Sequence, residues 1–224
     1  MLNYTPEPEK TVAAAARLCY SPLTGKELLE NFDTHQIQGF IERLSDQGHY
    51  SPFEHASFTF AIDGVSRALS HQLVRHRIAS FSQKSQRYVE EDNFAYVTPS
   101  SIANNPKQKK VFDQLMKEIL KQYSAFLCEG IAMEDARYIL PNAMLTNLVM
   151  TMNARSLLNF FRLRCCKRAQ EEIRQLAYLM LAEVKKIAPA LFAKAGPSCI
   201  VEGICYEGKM YCGQVKVPVK KYSQ

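Results

Sequence analysis

The chain of 224 residues lacks the segments that mark membrane and secreted proteins. It has no run of roughly eighteen apolar residues, the length that a transmembrane helix requires. The N-terminal residues Met1 to Pro6 lack the basic and apolar regions of a signal peptide. We therefore expect a soluble, cytoplasmic protein with no membrane partner.

Other common features are also missing. There are no internal repeats, low-complexity tracts or convincing linkers, and no GxGxxG sequence typical of dinucleotide-binding folds occurs. Hydrophobic residues make up 47% of the chain and aromatic residues 10%, which is ample for a buried core. These observations predict a single domain over residues 1–224.

The seven cysteines are an odd number and include the adjacent pair Cys165 and Cys166. This usage argues against a secreted disulfide framework and favours reduced thiols. Cys199, Cys205 and Cys212 are three possible metal ligands in the tail. Structural zinc normally has four ligands at tighter paired spacing, so we expect no metal, and the sequence leaves the purpose of this tail open.

The chain carries 28 basic and 22 acidic residues, a net charge of +6. This moderate excess suits small phosphorylated ligands at least as well as a polynucleotide. Net charge therefore does not decide between an enzyme and a nucleic-acid-binding protein.

Hydrophobic periodicity predicts a chain of mixed helices and strands. Strands are expected near residues 56–62, 94–97 and 146–152, because apolar and β-branched residues alternate or cluster there. Helices are expected over 5–19, 34–48, 65–73, 105–130, 134–140, 153–164 and 170–187. The mixture indicates an α/β fold.

One polar stretch, residues 75–88, follows a predicted helix. It holds three arginines, a histidine, a lysine, three serines and two glutamines, while Ile78, Ala79 and Phe81 are its apolar candidates for burial. Guanidinium forks and hydroxyl groups are suited to phosphate. The alternative is that these charges form a solvated face or a general nucleic-acid patch.

The order of residues in this stretch resembles the signature of the flavin-dependent thymidylate synthases, RHRxxSxxxxSxR. Arg75-His76-Arg77, Ser80, Ser85 and Arg87 supply the matching positions. Three further segments are similar to family segments: 49–55 around Ser51-Pro52-Phe53-Glu54-His55, 136–141 around Arg137, and 153–164. The resemblance covers about residues 17 to 190, and the tail from Gly196 is poorly covered.

The resemblance implies the α/β (α+β) thymidylate synthase-complementing fold, with a central, mostly antiparallel sheet, flanking helices and a homotetramer that shares its active sites between subunits. It implies methylation of dUMP at C5 to dTMP. The carbon donor is 5,10-methylenetetrahydrofolate, and FAD reduced by NADPH gives the hydride, so that tetrahydrofolate leaves.

The resemblance also implies roles for individual residues. Arg164 is the catalytic residue, which promotes ionisation at N3 of the pyrimidine, and His49 and Glu54 line the cofactor or folate pocket. The implied FAD contacts are Ser51, Arg75, His76, Arg77, Gln83, Asn153, Arg155 and Asn159. The implied dUMP contacts are Gln72, Arg75, Gln83, Lys84, Ser85, Gln86, Arg87, Arg137 and Arg164.

The residues themselves favour a route without a covalent thiol. Uracil methylation by a thiol uses a cysteine, usually in a Pro-Cys pair, and no Pro-Cys pair occurs here. Arginines can instead stabilise negative charge that develops on the pyrimidine. Ser85 has no sequence-adjacent base, so a binding role is expected for it.

The chain departs from the common family pattern at two places. Arg168 stands where many members have histidine, and Gln83 stands where many have glutamate. Two other functions stay open at this point: a flavin-dependent methylase of uracil in RNA, and a basic nucleic-acid-binding module that uses Arg75, Arg77 and Arg87 on phosphates.

Overall fold

The computed structural model of the protein describes residues 1–91 and 93–220, apart from the side chains of residues 34 and 35. No helix in this part of the chain combines the length and the apolar character needed to cross a membrane. The α-helices are α1 (Pro8–Leu18), α2 (Gly25–Asn31), α3 (Thr34–Asp46), α4 (Arg67–Leu73), α5 (Ser100–Ala103), α6 (Pro106–Cys128), α7 (Met133–Ala136), α8 (Ala154–Arg164), α9 (Glu171–Ile187) and α10 (Ser198–Val201).

The strands form one sheet in the order β1-β2-β4-β3. They are β1 (Asn3–Tyr4), β2 (Ser57–Ser66), β3 (Ser80–Gln83) and β4 (Leu145–Asn153). β1 pairs antiparallel with β2 and places Asn3 opposite Thr59. Short 3₁₀ helices cover Ser51–His55, Arg137–Ile139 and Gly208–Met210. The predicted α/β class is confirmed.

The two N-terminal helices differ from the sequence prediction. α1 begins at Pro8, because Glu7 adopts a left-handed backbone conformation with a φ of 43° and Pro8 occupies a first-turn position. α2 was not predicted. Its signal is a capping box, in which Thr24 accepts from the Glu27 N–H while the Glu27 carboxylate accepts from the Thr24 N–H.

Two of the three predicted strands, near residues 56–62 and 146–152, are present, and both are longer than predicted. β2 continues through Asp63 and Gly64, where we expected a break, because Gly64 adopts a φ of +67° and donates its N–H to Oδ1 of Asn147 at 3.1 Å. The strand expected near residues 94–97 is an isolated bridge between Tyr96 and Met144. β3 lies inside the polar stretch, where no strand was predicted.

Residue contacts divide the chain into two compact units. Unit 1 contains Met1–Phe60, His76–Ser80 and the chain from Met150 onward, and unit 2 contains Ala61–Arg75 and Phe81–Val149. The single domain over residues 1–224 stays a prediction.

The core of unit 1 contains a run of contacting aromatic rings. Phe58 packs edge-on against Phe192, with ring centroids 5.3 Å apart, and Phe192 packs against Phe161 at 6.0 Å. Phe160 continues the run at 5.6 Å from Phe161. These four side chains are fully buried, and each contributes about 1.5–3 kcal/mol through the hydrophobic effect. Because Phe160 and Phe161 belong to α8, this core fixes the position of that helix.

Unit 2 has its own smaller core. Phe94, Met116 and Met144 are buried together, and Phe112 packs against them. Met116 and Phe112 come from α6, the long amphipathic helix that the sequence predicts. α6 also contributes the fully buried Tyr123, whose hydroxyl accepts from the Glu91 N–H at 3.4 Å. α6 is thus the scaffold of unit 2.

Candidate functional site

Helix α8 in unit 1 has a buried apolar face and an exposed polar face. Leu157 and the two core phenylalanines, Phe160 and Phe161, are buried, whereas Arg155 and Asn159, four residues apart, are exposed. Asn153 caps the helix, since its Oδ1 accepts from the Ser156 N–H at 2.8 Å. The cap uses the Asn153 oxygen and leaves its amide N–H groups as donors.

The segment that contains Ser51 lies next to the start of α8. Nη1 of Arg155 donates to Oε1 of Glu54 at 2.6 Å, and the Ala154 N–H donates to the carbonyl of Ala56 at 2.8 Å. Ser51 begins the 3₁₀ helix that carries Glu54, and Ser51 is exposed. The Ser51 segment and the start of α8 both resemble segments of the family. They are about 100 residues apart in sequence but are neighbours in unit 1.

The exposed face of α8 borders a cavity of about 470 Å³. Arg155, Asn159, Arg162 and Lys194 line it, and Lys194 forms an ion pair there with Asp46. The volume is in the range of small-molecule sites. The lining contains three cations, Arg155, Arg162 and Lys194, and two carboxylates, Asp46 and Glu202. This set of donors fits the phosphate-bearing part of a flavin dinucleotide, because guanidinium and ammonium groups pair with phosphate oxygens.

The other end of α8 holds Arg164 against the polar stretch. Nε of Arg164 donates to Nε2 of His76 at 3.1 Å. The His76 ring in turn packs edge-on against Phe160, with centroids 5.1 Å apart. The aromatic core therefore supports the imidazole, and the imidazole orients the guanidinium.

The protonation of this pair follows from its burial. Desolvation, and to a smaller extent the charge of Arg164, lowers the pKa of His76 to about 4. Burial also lowers the pKa of Arg164, which nevertheless keeps its charge at neutral pH. His76 is consequently neutral, and its Nε2 lone pair is available to accept from Arg164.

The remaining arginines of the Arg-His-Arg sequence, Arg75 and Arg77, are exposed. Arg75 belongs to unit 2 and Arg77 to unit 1. Gln72, on α4 in unit 2, donates from Nε2 to the Ala68 carbonyl at 3.3 Å. α4 ends at Leu73, so the prediction that the polar stretch leaves a helix C-terminus is confirmed.

Gln83 is tied to the interior of unit 2. Its Nε2 donates to Oγ of Ser70 at 2.9 Å and to Oγ1 of Thr146 at 3.1 Å, and both hydroxyl-bearing residues are buried. Both amide hydrogens are engaged in this way, so a contact between Gln83 and a ligand would use the amide oxygen. A glutamate at this position would instead accept from the two hydroxyls.

Lys84 is anchored by a residue that the sequence reasoning missed. Its Nζ lies 2.9 Å from Oε2 of Glu91, whose side chain is 7% exposed, compared with 33% for Lys84. The other carboxylate oxygen, Oε1, is buried and has no hydrogen-bond partner among the described residues. The pair therefore holds the ammonium group in one place at the cost of a poorly solvated carboxylate.

The end of the polar stretch forms a turn that exposes Arg87. Oγ of Ser85 accepts from the Arg87 N–H at 3.2 Å, and the Val89 N–H donates to the Ser85 carbonyl at 3.0 Å. Nε of Arg87 forms an ion pair with Oε2 of Glu134 at 2.5 Å. The carboxylate thus lies beside Arg87, one of the residues that the resemblance assigns to dUMP.

Arg137 lies on the 3₁₀ helix after α7 and donates from Nε to the Glu134 carbonyl at 3.1 Å. Desolvation and the charge of Arg137 lower the pKa of Arg67, and Glu91 opposes this change. Arg67 and Arg137 are thus close enough for their charges to interact, whereas Lys84 and Arg87 are paired with Glu91 and Glu134. Gln86 is half-buried and donates from Nε2 to Sδ of Met144 at 3.5 Å.

The structure accordingly assembles two groups of predicted residues, one in each unit. Unit 1 holds Ser51, His76, Arg77, Asn153, Arg155, Asn159 and Arg164. Unit 2 holds Gln72, Arg75, Gln83, Lys84, Ser85, Gln86, Arg87 and Arg137. Within unit 1, His76 contacts Arg164, and the Ser51 segment contacts the start of α8.

Sequence reasoning missed three charged residues beside these groups, Arg67, Glu91 and Lys194. It also did not predict the ion pair between Glu134 and Arg87. Glu134 is three residues before Arg137, whose Nε donates to the Glu134 carbonyl. Its carboxylate instead pairs with Arg87, which the sequence spacing does not reveal.

Comparison with known proteins gives one consistent result. The family described as "Thymidylate synthase complementing protein" matches residues 1–190. Flavin-dependent thymidylate synthases of Clostridium tetani and Geobacter sulfurreducens are each 50% identical to this chain; the alignments cover 99% and 96% of it and 95% and 93% of those proteins. The enzyme of that name from Pyrococcus abyssi is 42% identical over 94% of this chain and 89% of its own. The Clostridium match extends through the tail that the sequence resemblance covered poorly.

Proposed function

The chain belongs to the thymidylate synthase complementing protein family, and from this premise we propose a reaction and a role for each part of the site. The protein is a flavin-dependent enzyme that makes dTMP. The proposed reaction takes dUMP, 5,10-methylenetetrahydrofolate, NADPH and one proton to dTMP, tetrahydrofolate and NADP⁺. The family assignment favours this activity over a nucleic-acid-binding module.

The residues of unit 2 are assigned to dUMP. Arg87 and the turn at Ser85 receive the phosphate, which takes the place of the Glu134 carboxylate beside Arg87. Lys84, held by Glu91, and Arg137 add positive charge. Gln72, Arg75, Gln83 and Gln86 contribute the remaining polar contacts.

The pairing of Arg164 with neutral His76 is the observation that carries the proposal. His76 engages Nε of Arg164 and so helps to orient the guanidinium group, whose positive charge we assign to the pyrimidine. A positive charge there stabilises negative charge on O4 and N3 of uracil and so activates C5. The partial burial of Arg164 strengthens this effect, since water screens the charge less.

FAD is assigned to the polar residues of unit 1, namely Ser51, His76, Arg77, Asn153, Arg155 and Asn159. The resemblance also implies Arg75 and Gln83 as contacts. When bound and reduced, FAD supplies the hydride, which protein side chains do not supply. Arg155, Asn159, Ser51 and the amide of Asn153 would hold it by polar contacts, and His76 and Arg77 would border it. His49 and Glu54 line the same pocket or that of the folate.

A mechanism in which a cysteine thiol attacks uracil is not supported by the cysteine next to Arg164. Cys165 follows Arg164 directly and is 2% exposed, and burial raises its pKa to about 11. Its thiol therefore stays protonated near neutral pH and is a poor nucleophile. Ser85, whose oxygen accepts from a backbone N–H, is assigned to binding.

The proposal extends to assembly and location. We infer a cytoplasmic homotetramer in which neighbouring subunits share each active site. Its concentration-dependent mass, measured by analytical ultracentrifugation, tests the tetramer: a monomer at catalytic concentrations contradicts it.

Product analysis tests the reaction. The purified protein is expected to show flavin absorption and to convert dUMP, methylenetetrahydrofolate and NADPH to dTMP. Tetrahydrofolate formed and NADPH consumed should each equal dTMP formed. Stoichiometric dihydrofolate, or a protein that is colourless and cannot be reconstituted with FAD, would overturn the proposal.

Two matched arms sharpen this experiment. An RNA oligonucleotide that contains uridine replaces dUMP in the first, and its methylation in place of free dUMP would identify the protein as an RNA methylase. In the second, Cys19→Ser and Cys128→Ser, which alter exposed thiols, should leave dTMP formation unchanged.

A further inference from the structure

Five of the seven cysteines border one small cavity in unit 1. The cavity has a volume of about 100 Å³ and is lined by Cys165, Cys166, Cys199, Cys205 and Cys212. All seven cysteines lie in the described part of the chain, where they are free thiols. The five cysteines come from the end of α8 and from three separate places in the tail, so the fold brings them to one cavity.

Four of these cysteines lie outside helix α8 and its cap. Cys199, Cys205 and Cys212 belong to the tail, and Cys166 follows the end of α8. Cys165 is the C-cap of α8 and, at 2%, is the least exposed of the five. Cys166, Cys199, Cys205 and Cys212 are therefore the four candidates for binding one ion.

We propose that Cys166, Cys199, Cys205 and Cys212 bind one Zn²⁺ ion. Four sulfur ligands satisfy the tetrahedral coordination of a closed structural zinc site, and soft thiolates select zinc over magnesium or calcium. The tail sequence offers three ligands, and the fold supplies the fourth, Cys166. On binding, the thiols that still carry protons release them as Zn–S bonds form.

The surroundings suit a thiolate cluster. Four thiolates and one Zn²⁺ carry a net charge of −2, and two cations, Arg162 and Lys167, line the same cavity together with one carboxylate, Glu207. The Arg168 N–H donates to Sγ of Cys166 at 3.5 Å, which is the type of contact that orients and tunes a metal-bound sulfur.

The thiols have to close around the ion. Among residues 1–91 and 93–220 no three His, Cys, Asp or Glu side chains already stand in a metal-binding arrangement. The tail contains two short elements, α10 and the 3₁₀ helix Gly208–Met210. Each is followed by a glycine with positive φ, Gly203 at +66° and Gly213 at +73°. Because few long elements constrain this segment, metal binding and ordering of the tail are expected to be coupled.

The site would have a structural consequence for the enzyme. Cys166 lies two residues after Arg164, at the end of the helix that carries Arg155 and Asn159. A Zn²⁺ ion would therefore join the tail to the C-terminal end of α8.

Metal analysis of the purified full-length protein tests this proposal. We expect one zinc per chain by elemental analysis, and Co²⁺ in its place should give ligand-field absorption at longer wavelengths than the flavin bands. Removal by a chelator should make four further thiols reactive toward a thiol reagent, and added Zn²⁺ should protect them again. An unchanged thiol count would overturn the proposal.

Variants separate the four ligands from the other cysteines. Cys166→Ser and Cys212→Ser are expected to weaken Zn²⁺ binding by more than about 100-fold, whereas the matched control Cys128→Ser keeps it. Far-ultraviolet circular dichroism shows whether each variant is folded, and the chelator experiment on the unmodified protein needs no variant. Equal zinc content in all three variants, iron with acid-labile sulfide, or a disulfide among these cysteines would each contradict the zinc site.

Discussion

Arg164 donates from Nε to Nε2 of His76 at 3.1 Å, so a neutral imidazole orients a guanidinium group. The arrangement reverses the more familiar role of histidine as a proton carrier. Here the low pKa of His76 keeps its Nε2 unprotonated, so that this atom can accept a hydrogen bond, and Arg164 carries the positive charge. The pair links the Arg-His-Arg sequence to the end of α8 inside unit 1.

Replacing Arg164 with alanine is expected to preserve folding and bound flavin but to remove most of the turnover. The loss in transition-state stabilisation should be about 2.7–4 kcal/mol, as for the removal of one preorganised donor to a developing anion. Steady-state kinetics and flavin absorption measure the two quantities separately. Arg164→Lys is the matched control, which keeps the charge but loses the planar fork. Near-normal kcat in Arg164→Ala would refute the catalytic role.

His76 gives the protein a specific pH dependence. Its pKa is about 4 in the folded protein and near the ordinary value of 6.5 in the unfolded chain, so the unfolded chain binds more protons between these values. The His76 contribution to the free energy of unfolding is therefore fully present above pH 6.5 and is lost as the pH falls toward 4. Urea unfolding at several pH values should show a larger loss for the unmodified protein than for His76→Gln. Parallel losses would show that His76 is not the group responsible.

The buried pair of Lys84 and Glu91 allows a double-mutant cycle. Lys84→Met leaves the Glu91 carboxylate buried without its partner and should lower the free energy of unfolding by about 3 kcal/mol. Adding Glu91→Gln removes the charge, so the double variant should recover a large part of that loss. Denaturant unfolding of all four proteins gives the coupling free energy. Strictly additive effects would mean that the pair has no energetic importance.

Arg87 is expected to discriminate for the phosphate of dUMP. Arg87→Ala deletes a charge-assisted contact worth about 1.5–3 kcal/mol, so dUMP binding should weaken by about 10-fold to 100-fold while deoxyuridine binding changes little. Isothermal titration with both ligands measures this difference. Equal weakening of dUMP and deoxyuridine would show that Arg87 is not at the phosphate.

Glu134 provides the complementary test. Its carboxylate pairs with Arg87 at 2.5 Å, and both side chains are about half exposed, so the pair is worth at most about 1 kcal/mol. Glu134→Gln should therefore tighten dUMP binding by a few-fold, the opposite direction from Arg87→Ala. Asp135→Asn is the neighbouring control, since Asp135 has the same charge. Weaker dUMP binding in Glu134→Gln would contradict the idea that Glu134 competes with the ligand.

The helices were the more predictable part of the fold. α6, α8 and α9 have apolar residues at helical spacing over several turns, so burial and local preference agree. α2 was missed because it spans Gly25–Asn31, with Leu28 as its buried residue, too little for a periodic signal. The capping box of Thr24 and Glu27 is the local signal that identifies it.

The short strands depended on contacts between distant residues. β3 comprises Ser80–Gln83, a polar sequence with weak strand preference, and the sheet order places it beside β4. β2 passes through Gly64 because Asn147 binds that backbone N–H. Neither interaction is visible in local sequence.

The candidate site was also predictable only in part, because motifs identify some of its residues whereas folding sets their partners. Ordered motifs identified Arg164, Arg87 and Arg155, because their residue types recur at fixed spacing. Their partners His76, Glu134 and Glu54 are set by folding, and Glu91 was missed because its burial depends on packing near Tyr123. The fourth cysteine of the proposed zinc site, Cys166, was also invisible as a partner of the tail.

Arg87 and Arg155 each hold a glutamate where the proposed ligands carry phosphates or other acceptors. Binding therefore exchanges one anion for another, and the protein itself supplies the counterion that dissolved salt would otherwise provide. Rising ionic strength weakens the internal pair as well as the pair with the ligand. These two effects partly cancel, so affinity for dUMP should vary less steeply with salt than the number of arginines suggests.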